Sequence, residues 1–477
     1  MSGAQAGEST GNNQHSLKRQ LGLRDLVLTQ ILYVVGTTWV GVAAGLGHAQ
    51  VVMWIAAMIL FNVPMAASVI ALNRIMPLEG GLYVWAREAF GDIGGFVTAW
   101  NIWVYGIAVT ATILYETPSA IAYLLGPRAQ WLPNSHWAST ALISVLVLAV
   151  MSAALRGLGV GKWIHDIGGA AMLTVFAMLI LLPLWGWARH VPMHWDPLRV
   201  TAPPADLRTL ALFGQMMFGA LCGLEYVAIL AGECKEPERT IGQSVWIAAP
   251  VICLMFVLGT GSVEAFVPKG QINFIAPIPQ TLRAALGNAG LGNLLAIVAI
   301  ALVEVRLLSA ASLVFTGVTR LPMTAGWDRL VPSWFSRLHP RWRTPVNSIV
   351  FTGVLVLLML LAASAGVHAQ EAFQLLENAS LTHYAVAYLA MFAIPIVGMG
   401  TLRRRLPRWL KWTSAVGLLS TSFSLLIVVY PFVHVVNARV YALKIGGTVV
   451  VSNLIALAFY AVRRRMITRE EREAARA

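Results

Sequence analysis

Two apolar stretches in this chain are interrupted where a bilayer-crossing helix should be continuous. One, Leu26 to Gly47, reads VVGTTWVGVAAGLG through its middle; the other, Leu210 to Gly232, reads FGQMMFGALCGLE. In hydrocarbon every backbone N–H and C=O needs a partner, so irregular backbone persists only where it is buried in protein or lines a cavity. A pair of glycine-interrupted spans at matching places in two halves of a chain is the pattern of a binding site in a secondary transporter. The chain is expected to move a small solute across a membrane.

Composition agrees. Of 477 residues, 58% are hydrophobic and only 12% charged, with a mean hydropathy of +0.70, whereas a soluble domain has roughly a quarter of its residues charged. Windows of about 20 apolar residues predict twelve spans, near 26–47, 50–74, 92–125, 137–155, 163–187, 209–232, 244–266, 291–318, 345–364, 372–400, 410–434 and 442–462. The third exceeds one crossing and predicts tilt or a polar-end extension. The first follows a polar Ser/Gln/Asn-rich tail and no cleavage site succeeds it, so it does not read as a signal peptide.

The net charge of +13 reports topology rather than nucleic-acid binding. With the N-terminus inside, 25 of the 34 Lys and Arg residues fall on the inner face, 8 fall in outer loops and Arg306 lies within a span. The positive-inside rule places both termini in the cytoplasm, and the basic face suits anionic lipid heads. None of the three cysteines lies in an outer loop, so no disulfide framework is expected; Cys222 reads as a small packing residue beside the second break.

The segments divide as a cytoplasmic tail (1–23), a first block of five helices (24–187), a second block of five (208–400), two further helices (401–463) and a cytoplasmic tail (464–477). Five is odd, so the two blocks run with opposite orientation, as an inverted repeat requires. The outer segment Ala188–Leu207 is the seam and is not expected to be helical throughout. A second outer segment, Val267–Leu286, places Pro268, Pro277 and Pro279 around an apolar patch and is expected to dip toward the membrane as a lid.

Three inner-face segments carry a family pattern: MPLEGGLYVWAREAFGDIGGFVTAW (Met76–Trp100), GLEYVAILAGECKEPERTIGQS (Gly223–Ser244) and TRLPMTAGWDRLVPSWFSRLHPRWRTPVNS (Thr319–Ser348). Together they resemble the amino acid–polyamine–organocation superfamily of permeases, over roughly residues 20 to 460. The resemblance implies an all-α membrane protein of twelve helices: two inverted blocks of five with helices 1 and 6 discontinuous, followed by two extra C-terminal helices. It implies amino acid transport by alternating access across the inner (plasma) membrane, with no cofactor beyond a coupling H+ or Na+. The proline and paired glycines of Pro77–Gly81 suit a cytoplasmic gate, for which Gly80, Gly81 and Glu233 are the candidates.

A half-helix that begins in mid-membrane presents unsatisfied N–H groups and a partial positive charge. The first break, with Gly36, Thr37, Thr38, Trp39 and Gly41, is expected to hold a carboxylate. The second, with Phe218, Ala220 and Gly223, ends a half-helix whose free carbonyls suit an ammonium. The two groups on one carbon make an α-amino acid; a polyamine or organic cation is the alternative. Family members commonly show G-x-x-x-G-x-G in the first break, whereas here Val42 and Ala43 follow Gly41 and the bulky Trp39 and Val40 intervene.

Intramembrane carboxylates mark functional sites by default. Glu225 is open to three roles: binding a cationic side chain, carrying a proton, or fixing the broken helix. Glu116 is a second candidate for proton coupling. Ser309 and Ser312, at i and i+3, are candidates for a sodium site, though serine in a spanning helix also bonds its own i−4 carbonyl. Glu304 and Arg306 are two apart and do not face each other. His383 reads as a packed histidine. No HExxH, nucleophile elbow or intramembrane His/Asp cluster is present, so no enzyme or metal site is expected, and the short tails leave no room for a soluble output domain.

Overall fold

The computed structural model describes residues 21–76, 81–194, 201–229, 231, 234–323, 330–364, 367–397 and 406–474. Among these the chain is helical, with no strand and one isolated bridge between Leu21 and Cys234. Eleven helices are long and apolar enough to cross a membrane. The first expected span is instead two short helices, α1 (Leu23–Val34) and α2 (Trp39–Ala44).

The remainder follow in order: α3 (Gly47–Ile75), α4 (Leu82–Leu125), α5 (His136–Arg156), α6 (Leu158–Ala188), α7 (Leu207–Leu221), the short α8 (Tyr226–Ile229), α9 (Pro237–Phe266), α10 (Pro277–Leu286), α11 (Gly290–Arg320), α12 (Val346–Ser364), α13 (Ala369–Val397), α14 (Leu410–Ile427) and α15 (Ala438–Ala474). The expected disordered tail, 1–16, lies outside the described residues.

The over-long third span, 92–125, is one helix, which α4 continues back to Leu82 across a break. Gly91, at φ 75° and ψ −174°, breaks α4 just before the expected start at residue 92. That left-handed backbone suits glycine alone, and it turns the stretch Leu82–Phe90 away from the crossing part.

The core forms where α4 packs along α13 and α11, and where α11 packs along α6. The periphery is apolar and exposed: Leu443, Val450, Val451, Leu454 and Ile455 of α15 lie open, as expected of a lipid-facing helix. Exposed Trp137, Trp163, Trp187 and Trp412 sit near helix ends, where amphipathic rings anchor a helix at the membrane interface.

The two outer segments behave differently. Residues 189–194 and 201–205 of the seam are non-helical. In the other, α10 is a short helix with Pro277, Ile278, Pro279, Thr281, Leu282, Ala285 and Leu286 all buried. Arg283 ties it down, donating to the carbonyls of Tyr123 (2.7 Å) and Leu124 (2.9 Å) at the end of α4 and to Asn293 Oδ1 (2.7 Å).

Candidate substrate site

Both glycine clusters break their helices. The chain leaves α1 through Val35, whose backbone is extended (φ −78°, ψ 95°), and re-enters helix at Trp39 with no side-chain cap. It leaves α7 through Cys222 (φ −72°, ψ 156°) and Gly223 (φ 112°), then resumes at Tyr226. Only glycine adopts the Gly223 conformation without strain.

The breaks lie against each other. A Cβ placed on Gly223 would stand 2.6 Å from the Tyr33 ring, and one on Gly219 would stand 2.2 Å from the Trp39 indole. Gly36 is equally close to the same indole, at 2.5 Å. Trp39 therefore fills room left by glycines on both broken helices. Gly41 lies against Pro277 of α10 (2.6 Å from a built Cβ to the proline Cβ), so the outer helix seats directly on α2.

Glu225 sits just past the second break within a tyrosine cage. Tyr384 and Tyr388, one turn apart on α13, each donate a hydroxyl to its carboxylate. The Tyr388 oxygen also accepts the Gly223 N–H at 2.7 Å, so the cage holds the broken backbone as well as the charge. Tyr105 stacks on Tyr384 at 3.7 Å and Tyr33 on Tyr226 at 4.0 Å. Phe218 packs edge-on against Tyr388 at 5.3 Å, and Ala220 is buried.

A second polar centre surrounds the first break. Thr37 donates to Glu116 Oε2 at 2.5 Å. Arg306 donates to the Val35 carbonyl at 2.6 Å and reaches Thr37 Oγ1 at 3.4 Å, which supplies the partner that spacing alone could not name. Glu377 of α13, absent from the expected site, interacts electrostatically with both Arg306 and Glu116, and Glu304 does so with Glu116. Its signal was available: it is an intramembrane carboxylate like the other three.

The expected sodium ligands, Ser309 and Ser312, are both on α11. Ser309 donates to its own i−4 carbonyl, Val305 O, at 2.7 Å, and packs on Gly168 of α6. Ser312 is buried; the Val35 carbonyl is occupied by Arg306. His383 is fully buried, with Nδ1 at 2.8 Å from Ala379 O. Gly81 opens α4 at φ 47°, while Gly80 and Glu233, the other gate candidates, lie outside the described residues. None of the three cysteines forms a disulfide among the described residues.

Two cavities flank the breaks. One is lined by Tyr33, Tyr105, Glu225, Tyr226, Gly317 and Tyr384. The other is lined by Thr38, Trp39, Gln215, Phe373, Gln374 and Glu377 among others.

The sequence profile of the amino acid permease family matches residues 24–455. An uncharacterized transporter of Legionella pneumophila is 25% identical over 80% of this chain and 81% of its own length. Two Bacillus subtilis proteins are similar at the same level. A methylthioribose transporter is 23% identical over 84% of each chain, and the branched-chain amino acid permease BcaP is 24% identical over 73% of this chain and 76% of its own.

Proposed function

Because the chain belongs to the amino acid permease family, we propose that it is a secondary transporter of α-amino acids in a bacterial inner membrane. It crosses twelve times, with α1–α2 as the first crossing, two inverted blocks of five helices, two C-terminal helices and both termini cytoplasmic. The observation that carries the reading is the direct apposition of the two helix breaks at Tyr33–Gly223 and Trp39–Gly219.

The substrate lies between the breaks. Its carboxylate takes N–H groups of the segment Gly36 to Trp39, with Gly41 allowing α10 to close over it. Its ammonium takes the free carbonyls at the end of α7, around Ala220, beside Phe218 and Gly223. The tyrosines on both Glu225 oxygens favour the helix-fixing role for that residue over direct substrate binding. Alternating access then swaps which of the two flanking cavities opens, with Gly80, Gly81 and Glu233 at the cytoplasmic gate. The second reading, a polyamine or organic-cation carrier, draws on the excess of carboxylates over cations around Arg306.

The test is uptake of a labelled neutral amino acid by proteoliposomes preloaded with unlabelled amino acids. Saturable uptake that other α-amino acids block supports the reading. Inhibition by polyamines alone sinks it in favour of the second.

A further inference from the structure

Two carboxylates, Glu116 and Glu377, share one guanidinium beside the first break, and they are not equally occupied. Glu116 holds the Thr37 hydroxyl and pairs with Arg306. Glu377 is half-buried, faces the cavity beside Trp39 and has no hydrogen bond to its carboxylate among the described residues. One helical turn earlier, Gln374 lines the same cavity, only 2% exposed, with neither Nε2 nor Oε1 partnered. A buried amide left bare costs free energy until something bonds it. The rest of the lining mixes the rings of Trp39, Phe274, Phe373 and Phe432 with the polar side chains of Thr38, Gln215 and Gln370.

We propose that Glu377 and Gln374 form a distal subsite for a positively charged group at the far end of the substrate, so that amino acids with basic side chains are preferred over neutral ones of equal length. The proposal rests on the amino acid reading above. Glu116 and Glu377 share the one guanidinium of Arg306, so the pair has room for a second cation. A terminal ammonium supplies that positive charge and has further N–H groups for Gln374 Oε1, while the aromatic rings flank its methylene stem. A proton on Glu377 would neutralise the charge but leave both Gln374 atoms bare.

The experiment compares uptake of L-lysine and L-norleucine, which share a six-carbon skeleton and differ in the terminal ammonium, by the full-length chain in proteoliposomes. A half-saturation concentration about tenfold or more lower for lysine is expected, from one charge-assisted hydrogen bond. Glu377→Gln should bring the ratio close to one by raising the half-saturation concentration for lysine, and saturable norleucine uptake by the variant shows that it folds. Gln374→Leu should lower the ratio severalfold and tests the proposal separately. Equal uptake of both by the wild type, or an undiminished lysine preference in Glu377→Gln, overturns the subsite while the amino acid reading stands. Loss of a proton-gradient dependence for both solutes in Glu377→Gln, with the ratio intact, overturns it in favour of a proton carrier. Uptake of cadaverine but of neither amino acid keeps the subsite and removes the amino acid reading. Uptake of none of the three removes both.

Discussion

The Trp39 indole occupies the space where Gly219 would otherwise carry a side chain, 2.2 Å from a Cβ built there. Each residue is thus a steric condition on the other. Gly219→Ala should overpack the contact and lower stability by about 1–3 kcal/mol, with transport lost. Trp39→Leu, which opens the same space, should partly restore stability to Gly219→Ala. Thermal unfolding of both single variants and the double variant measures this; strictly additive losses would show that the two residues are not coupled.

The Glu225 cage gives a second prediction. Tyr384→Phe and Tyr388→Phe each remove a buried donor and should cost about 1–3 kcal/mol. In a Glu225→Gln background, where no full charge needs holding, the same tyrosine changes should cost less. Denaturant titration of the six proteins decides it, and equal costs in both backgrounds would assign the tyrosines a packing role only.

Arg283 should govern the order of the outer helix. Arg283→Ala removes its donors to Tyr123, Leu124 and Asn293, so the backbone amides of α10 should exchange hydrogen at least about tenfold faster. The rest of the bundle should be unaffected. Unchanged exchange in α10 would mean that burial alone holds the helix in place.

The start of α7 carries a pH dependence. Asp206 accepts the Thr209 N–H at 2.8 Å, and this bond holds its carboxyl below the usual carboxylate range. A depressed folded value means that the unfolded chain binds the proton more readily. The cap therefore stabilises above the ordinary aspartate value of about 4 and weakens as pH falls below it. Asp206→Ala should melt earlier than wild type at pH 7, and the difference should shrink at about pH 3. A difference independent of pH would point to cap geometry without charge.

The breaks were legible because glycine leaves a mark in sequence: Gly36, Gly41, Gly219 and Gly223 stand where a continuous helix gains nothing from them. The Gly91 turn was not legible, since it lies just outside the 92–125 stretch whose length stood out. The partners of the charged groups were not, since pairing across distant helices leaves no local period. Tyr384 and Tyr388 look like ordinary aromatics on an apolar span until α13 is packed against the second break. Arg306 had no visible partner because it bonds a backbone carbonyl, that of Val35, which every residue carries. Glu377 was readable by the rule applied to Glu116 and Glu225; among so many polar residues on α13, it did not stand apart.

Pro277 and Arg283 lie six positions apart on one short helix, the first against Gly41 of a broken helix and the second fastened to the end of α4. The helix is thus a lever with its fulcrum on the scaffold and its tip on the substrate site. An antibody fragment that gripped α10 from outside would jam transport without ever competing with the solute.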